Sequence, residues 1–240
     1  MKKILTLALV LGLTTACNGQ WGKRIKGNGQ VVTQERSLGE YSGVSLSGWF
    51  DVELVSGREG EITLKGESNL LEHIVTEVKN GNLLIRVEKG YNLSSSARTG
   101  VQITVPVESI SQVNLSGSGD IICGFPLSSD AFEIRVSGSG DVQLPLEADR
   151  ISVALSGSGD IGLSGTSREL SVSVSGSGDV NAFDLTAESV KVNVAGSADV
   201  EVTATQFLEA RVSGSGDVEY RGNPKKVDAK SAGSGDITRG

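Results

Sequence analysis

One short motif recurs along the second half of the chain at nearly constant intervals. It reads Ser or Ala, Gly, Ser, Gly or Ala, and Asp, and Ile or Val follows it. The intervals between successive motif aspartates are 21, 19, 19, 20, 18 and 19 residues. These aspartates are Asp120, Asp141, Asp160, Asp179, Asp199, Asp217 and Asp236, and a variant copy at residues 47–52 contributes Asp51. A period of about twenty residues predicts a solenoid, in which each repeat buries its apolar face against its neighbours.

Within each repeat, apolar and polar residues alternate. Counted from the motif aspartate, the positions seven and five residues before it and one and three residues after it are mainly Val, Ile and Leu. The copy around Asp160 has Val153, Leu155, Ile161 and Leu163 at these places. A period of two indicates β-strands. We therefore predict an all-β fold, a parallel β-helix or β-solenoid with coils of about 19–20 residues.

The shape of one coil follows from the same alternation. We expect a right-handed β-helix, because the sequence shows no six-residue sub-period of the left-handed type. Each coil is predicted to contain a bent pair of strands followed by a polar return of several residues. The two glycines of each motif fall at inward positions, which predicts a sharp corner where the backbone crowds the interior. The serines and the aspartate of the motif then face solvent.

Stacking of the coils places the motif aspartates in one column. Carboxylates about 4.8 Å apart repel by about 0.9 kcal/mol even at the dielectric constant of water, so something must offset this repulsion. In one interpretation, each aspartate accepts hydrogen bonds from N–H groups of the corner and from serine hydroxyls. In the other, the column binds calcium, since the motif loosely resembles Gly-Gly-x-Gly-x-Asp repeats. Calcium needs six to eight oxygen ligands, more than one column of aspartates readily supplies.

The rest of the mature chain divides by composition. We predict that residues 30–110 form a less regular, β-rich N-terminal part of the solenoid and that residues 111–240 form the regular coils. Residues 80–81, Asn-Gly, predict a hairpin turn. Residues 91–100, rich in Asn, Ser and Gly, predict a surface loop. Residues 17–29, polar and rich in Gly, predict a flexible tether.

The N-terminus has the form of an export signal. Two lysines precede an apolar run at residues 4–13, and small residues lead to Cys17. This run is too short to span a bilayer, and it is typical of a signal peptide. The cysteine after the small residues resembles a bacterial lipoprotein signal, which implies that residues 1–16 are removed and Cys17 is lipidated. Asn18 then favours the outer membrane, with the body on the periplasmic or the cell-surface face. An ordinary secreted protein cut near residue 16 is the alternative.

Charge and composition exclude several classes of function. Removal of Lys2 and Lys3 with the signal leaves 20 basic and 29 acidic residues, a net charge of −9. An acidic chain without a basic cluster is not expected to bind nucleic acid. Cys123 lies in an inward row, which predicts a small core residue. His73 is the only histidine, so we predict neither a zinc site nor a cofactor.

Two aromatic residues distinguish the first copy of the motif. Trp49 and Phe50 occupy places that hold Ser and Gly or Ala in the other copies. The alternation predicts that Trp49 faces outward and Phe50 inward. Trp49 is therefore either part of an end cap or a surface contact for a sugar or a protein partner.

Several further segments accompany the repeat in a characteristic order. They are Gly27-Asn28-Gly29-Gln30-Val31 leading to Arg36, residues 44–52, Asn69-Leu70-Leu71, residues 80–85 and the motif series itself. With these segments the chain resembles the head GIN domain family of putative autotransporter adhesins, over about residues 27–240. The resemblance implies a β-solenoid exposed at the cell envelope, and it brings no catalytic residues.

The observations predict a lipid-anchored envelope protein that acts as an adhesin or binding protein through a repetitive surface, and not as an enzyme. Its expected partners are the membrane, through the N-terminal lipid, and a glycan or another envelope component. A periplasmic structural or signalling-accessory lipoprotein is the alternative. A polysaccharide-active enzyme is disfavoured, because the acidic residues repeat uniformly instead of gathering in one coil.

Overall fold

The chain is all β, with one short helical turn, in a computed structural model that describes residues 22–98 and 100–240. The predicted signal peptide and the predicted lipid site at Cys17 lie outside the described residues. Across the described ranges, no helix has the length and apolar character needed to cross a membrane.

The strands fall into an N-terminal part and a regular stack. The N-terminal part contains β1 (Lys23–Lys26), β2 (Val31–Ser37), β3 (Gly43–Gly48), β4 (Asp51–Ser56), β5 (Glu61–Glu67), α1 (Ser68–Leu71), β6 (Ile74–Lys79), β7 (Asn82–Val87), β8 (Tyr91–Ser94) and β9 (Gln102–Val107). The stack contains β10 (Gln112–Gly117), β11 (Ile121–Cys123), β12 (Leu127–Gly138), β13 (Val142–Gly157), β14 (Ile161–Gly176), β15 (Val180–Gly196), β16 (Val200–Gly214), β17 (Val218–Arg221), β18 (Lys226–Gly233) and β19 (Ile237–Arg239).

Successive coils pair in parallel and in register. In the middle of the stack, Val153 of β13 pairs with Val172 of β14 and Leu155 pairs with Val174. The same register extends back to the variant motif copy, because β3 and β4 pair in parallel with β10 and β11. The predicted β-solenoid is therefore confirmed, and residues 47–52 form the corner of its first coil.

The core is a set of apolar rows that run along the stack. The inward residues of neighbouring coils, such as Val153, Leu155, Val172 and Val174, are all at most 2% exposed. Each row buries side chains against the coils before and after it. At about 25 cal/mol per Å² of apolar surface, this burial is the main stabilising contribution that a solenoid without disulfides has available.

The predicted polar return is wrong. Strand β13 runs through the whole coil from one motif to the next, and so does β14. The backbone of this segment pairs with the neighbouring coils whatever its side chains are. Small bulges also interrupt the alternation. The pairing of β14 with β15 shifts by one residue between Gly162 and Ser164, which accommodates the 20-residue interval between Asp179 and Asp199.

A curled mixed sheet covers the N-terminal end of the stack. Strands β7 and β9 extend the first coil in parallel, next to β3 and β4. Strand β6 then pairs antiparallel with β7, and β5 pairs antiparallel with both β9 and β2. The turn between β6 and β7 has Asn80 at φ 52° and Gly81 at φ 75°, which confirms the predicted hairpin.

Two segments predicted to be irregular form a small parallel sheet instead. Residues 23–26 pair with residues 91–94 as β1 and β8. The prediction of a tether over residues 17–29 is therefore wrong for 23–26, and the predicted loop at 91–100 is wrong for its first four residues. Both segments are only four residues long, too short for an alternation to indicate a strand. A buried carboxylate, Glu67, fixes them: it accepts hydrogen bonds from Gly29 N–H at 2.7 Å and from Ser95 Oγ at 2.7 Å.

Candidate functional site

The motif glycines lie where one coil crosses closest over the preceding one. A Cβ atom added at Gly159 would lie 2.1 Å from the carbonyl oxygen of Gly140, and Gly157, at φ +144°, is equally constrained against Gly138. The crowding therefore comes from the backbone of the neighbouring coil and not from the interior, as the alternation had suggested. The close approach lets the N–H groups of Ser158 and Gly159 both donate to the carbonyl oxygen of Gly138.

The single alanine among these places shows what a side chain changes. Ala198 replaces the second glycine of its motif and is fully buried. Ser197 N–H still donates to the carbonyl oxygen of Gly176, at 2.9 Å. In the other coils the residue after that serine also donates, as Gly178 does to Gly157 at 3.1 Å, whereas Ala198 makes no such bond. A methyl group here is tolerated with the loss of one hydrogen bond.

The motif aspartates form a ladder of hydrogen bonds between coils. From Asp141 to Asp236, each backbone N–H donates to Oδ1 of the aspartate one coil earlier, at 2.7–2.9 Å. The first step, from Asp120 N–H to Asp51 Oδ1, is longer at 3.4 Å. From Asp120 onwards, the backbone carbonyl of each aspartate also accepts from the coil before, as Asp160 does from Val142 N–H at 2.9 Å. We call this column of eight aspartates the acidic ladder.

The acidic ladder has the geometry of a structural element. Each carboxylate from Asp51 to Asp217 accepts a charge-assisted hydrogen bond, which offsets the repulsion along the column. The donor is the backbone of the next coil, not a serine hydroxyl or an N–H group of the same corner. Among residues 22–98 and 100–240, no three His, Cys, Asp or Glu side chains are grouped so that they could hold a metal ion. The arrangement favours the hydrogen-bond interpretation over calcium.

The structure places the remaining predicted residues in the core or at its edge. Phe50 is fully buried, and Trp49 is partly buried, with the two ring centroids 5.1 Å apart. This agrees with the predicted directions and shows that Trp49 packs at the edge of the core. Cys123 is buried, its Sγ donates to the carbonyl oxygen of Phe125, and burial raises the pKa of its thiol. None of the three lies on the acidic ladder.

A groove with a volume of about 650 Å³ runs along the side of the stack. Six successive coils contribute to it, through residues 111–112, 131–133, 150–152, 169–171, 189 and 191, and 207 and 209. We call it the lateral groove. It lies eight to ten residues before the motif aspartate of each coil, and its residues are distinct from those of the acidic ladder.

The walls of the lateral groove carry charges of both signs. Glu133, Glu169 and Glu209 alternate along it with Arg150 and Lys191. Lys191 Nζ lies 3.7 Å from a carboxylate oxygen of Glu209. Serines fill the middle of the wall, so charged and hydroxyl groups line the groove without a large excess of either charge.

The base of the lateral groove is closed. The side chains of Phe132, Ile151 and Leu170 are 1–2% exposed, so they offer little surface to an occupant. Their strands are paired on both sides, since Ile151 pairs with Phe132 in one direction and with Leu170 in the other. An occupant of the groove therefore meets mainly the side chains of the walls, among them the partly exposed ring of Phe207.

The sequence prediction missed this groove. Its wall positions change identity from coil to coil, so no repeated residue marks them. The available signal was a break in the alternation, where two consecutive residues face solvent, as Asp149 and Arg150 do and as Arg168 and Glu169 do in the next coil. Such a break indicates a corner.

Comparison with known proteins identifies relatives that cover most of the chain. A family model described as "Putative auto-transporter adhesin, head GIN domain" matches residues 40–224. A putative lipid binding protein from Parabacteroides distasonis ATCC 8503 is 30% identical, with a TM-score of 0.76 over 91% of this chain and 100% of that one. A putative adhesin from Bacteroides fragilis NCTC 9343 shares the fold, with 22% identity and a TM-score of 0.79 over 90% and 99% of the two chains. Curated proteins gave no match.

Proposed function

Because the chain belongs to the head GIN domain family of putative auto-transporter adhesins, we propose that it is a lipid-anchored adhesin or binding protein of the cell envelope. It acts by holding a partner against the side of the solenoid, not by catalysis. The lateral groove carries this proposal, because six successive coils contribute to one continuous surface. A surface of this kind suits an elongated partner with a repeating structure.

The proposed anchor is a lipid on Cys17, after removal of residues 1–16. Only residues 18–22 separate Cys17 from β1, and five residues span at most about 18 Å. The solenoid would then stand close to the outer membrane. Incorporation of labelled palmitate into the wild-type chain, and its loss in Cys17→Ser, tests the anchor. Equal labelling of both chains, or secretion of the wild-type chain into the medium, would contradict it.

The adhesive function requires the body to face outward. Trypsin added to intact cells should remove the solenoid, because exposed lysines and arginines occur in β1 and in β18. Digestion only after lysis would support the alternative, a periplasmic structural or signalling-accessory lipoprotein.

Adhesion itself can be tested with two variants of one strand. Ser171 and Ser175 are both exposed on β14, but only Ser171 lines the lateral groove. We expect cells that carry Ser171→Trp to attach less well to a host or glycan-coated surface than cells that carry Ser175→Trp. Equal attachment by both, at equal surface levels, would refute a role of the groove. Lipid binding, named in the description of the 30% identical relative, is the competing function that vesicle binding would reveal.

A further inference from the structure

We propose that the lateral groove binds a neutral, linear glycan that lies along the stacking axis of the coils. The inference rests on the proposed binding function and adds the chemical class of the partner. It follows from the direction of the groove, from the charges and hydrogen-bonding groups of its walls, and from the buried, fully paired strands of its base.

The direction of the groove selects an extended chain. From the coil of Gln112 to that of Glu209 there are five steps of about 4.8 Å, or about 24 Å in all. The groove therefore crosses the strands instead of following one of them. A polymer placed in it meets the same column of the solenoid once in every coil, which favours a partner with a regular repeat.

The wall charges select a neutral chain. Three acidic residues and two basic residues alternate along the groove, and Lys191 is paired with Glu209. A polyanion would meet Glu133, Glu169 and Glu209, whereas a polycation would meet Arg150 and Lys191. Like charges in such contacts reduce affinity, so neither kind of polymer fits the whole groove.

The same walls offer partners to hydroxyl groups. The carboxylate of Glu169 can accept from a sugar hydroxyl, and the guanidinium of Arg150 can donate to one. Ser152 and Ser171 can do both, and all four side chains are exposed. The partly exposed ring of Phe207 offers an apolar face at one end of the groove, where the C–H face of a sugar can pack.

The base disfavours two other elongated ligands. A peptide cannot add as a strand, because the backbone groups of the base are already paired with the coils on either side. The base side chains of Phe132, Ile151 and Leu170 offer an acyl chain little surface, because they are 1–2% exposed. Hydrogen bonds to the wall side chains then supply affinity for a polyhydroxylated chain.

Calorimetry on residues 18–240, which contain all strands of the described ranges, tests the inference. The probes are cello-, chito- and malto-oligosaccharides of increasing length. We expect at least one series to bind, with affinity that rises with length until the groove is filled. Ser171→Trp should weaken that binding at least tenfold, since the indole fills the middle of the groove. Ser175→Trp, in the same strand but outside the groove, should bind as the wild type does.

Three outcomes would overturn the inference: no neutral series binds, Ser171→Trp binds a neutral series as the wild type does, or uronic-acid polymers or phosphatidylglycerol vesicles bind while the neutral series do not. The circular dichroism spectrum and the melting temperature of Ser171→Trp confirm that it is folded. If neutral glycans fail but Ser171→Trp still abolishes cell attachment, the adhesive function stands and only the ligand class is wrong.

Discussion

Replacing one motif aspartate separates its role as a hydrogen-bond acceptor from its negative charge. Asp160 Oδ1 accepts the N–H of Asp179 at 2.9 Å in the middle of the acidic ladder. Asp160→Ala removes the acceptor, and we expect it to lower the free energy of unfolding by about 1–2 kcal/mol. Asp160→Asn keeps an oxygen at that place and removes the repulsion along the column, so it should stay within about 0.5 kcal/mol of the wild type. Urea unfolding measures both values.

Ser158→Ala is the matched control for these variants, because Ser158 is exposed at the same corner. It should leave the free energy of unfolding unchanged. A different pattern would revive the calcium interpretation: Asp160→Asn as damaging as Asp160→Ala, together with stabilisation of the wild type by millimolar calcium. In that case the charge of the column, and not its acceptor oxygens, would be what matters.

A motif glycine, Gly159, can be compared with Gly162, a nearby glycine outside the motif. A Cβ atom at Gly159 would lie 2.1 Å from a backbone oxygen, whereas one at Gly162 would meet only the Gln143 side chain, at 3.6 Å. Gly159→Ala should therefore destabilise the protein by about 1–3 kcal/mol. Gly162→Ala should be neutral or stabilising by up to about 1 kcal/mol, because alanine restricts the unfolded chain. If both variants changed the free energy of urea unfolding equally, close approach of the neighbouring coil would not be the reason for glycine at residue 159.

Single residues were only partly predictable. The alternation correctly placed Phe50 inside and the motif aspartates outside. It could not show that the donor to Asp160 is the backbone of Asp179, because the register of neighbouring coils decides that partner. The glycines were predicted to be at a corner, but the atoms that exclude a side chain there belong to another coil, 19 residues away for Gly159 and Gly140.

At the scale of elements, the attachment of β1 depends on one buried carboxylate. Burial raises the pKa of Glu67, but hydrogen bonds from Ser96, Ser95 and Gly29 outweigh this effect and lower it from 4.5 to about 2. A lowered pKa means that the carboxylate stabilises the fold above pH 4.5 and loses this contribution as the pH falls towards 2. We expect Glu67→Gln to be less stable than the wild type at pH 7, by about 1.5–3 kcal/mol. In chemical unfolding, this difference should shrink below pH 4.5.

Limited proteolysis shows whether the effect is local. The basic residues of β1, Lys23, Arg24 and Lys26, are exposed, so release of the strand should speed tryptic cleavage there in Glu67→Gln. Glu61→Gln, at the exposed start of the same strand as Glu67, is the control and should change neither cleavage nor stability. A constant stability difference between pH 7 and pH 2.5 would contradict the proposed role of the charge.

Strands β1 and β8 show where prediction by element fails. Each has four residues, too few for a period-two pattern to indicate a strand. Their pairing joins residues 68 positions apart, Lys23 with Tyr91. It depends on Glu67, a polar residue whose burial contradicts the usual preference of its type. Only the parts of strands β13 to β16 near the motif were predicted. The alternation breaks at the corners, as at Asp149 and Arg150, and at the register shifts among β14, β15 and β16.

At the scale of the molecule, the regular stack behaves as a linear array in which each coil contacts the coils next to it. The fold class was predictable because the motif repeats at the coil length, and the parallel register follows from that period. The lateral groove was not predictable in the same way. It depends on which side chains six coils place side by side, and these side chains do not repeat.

Removal of one whole coil tests the additivity of the stack. Deletion of residues 161–179 joins Asp160 to Val180, and because Val142, Ile161 and Val180 are aligned, the remaining coils can pair in register. We expect a folded, shorter solenoid whose urea m-value falls by roughly a tenth, since less surface is exposed on unfolding. Deletion of residues 161–170 removes half a coil, breaks the register and should abolish cooperative unfolding. If the whole-coil deletion is also unfolded, the central coils are not interchangeable units. If it is folded, its groove is one coil shorter, and the longest glycans should then bind more weakly than they bind the full chain.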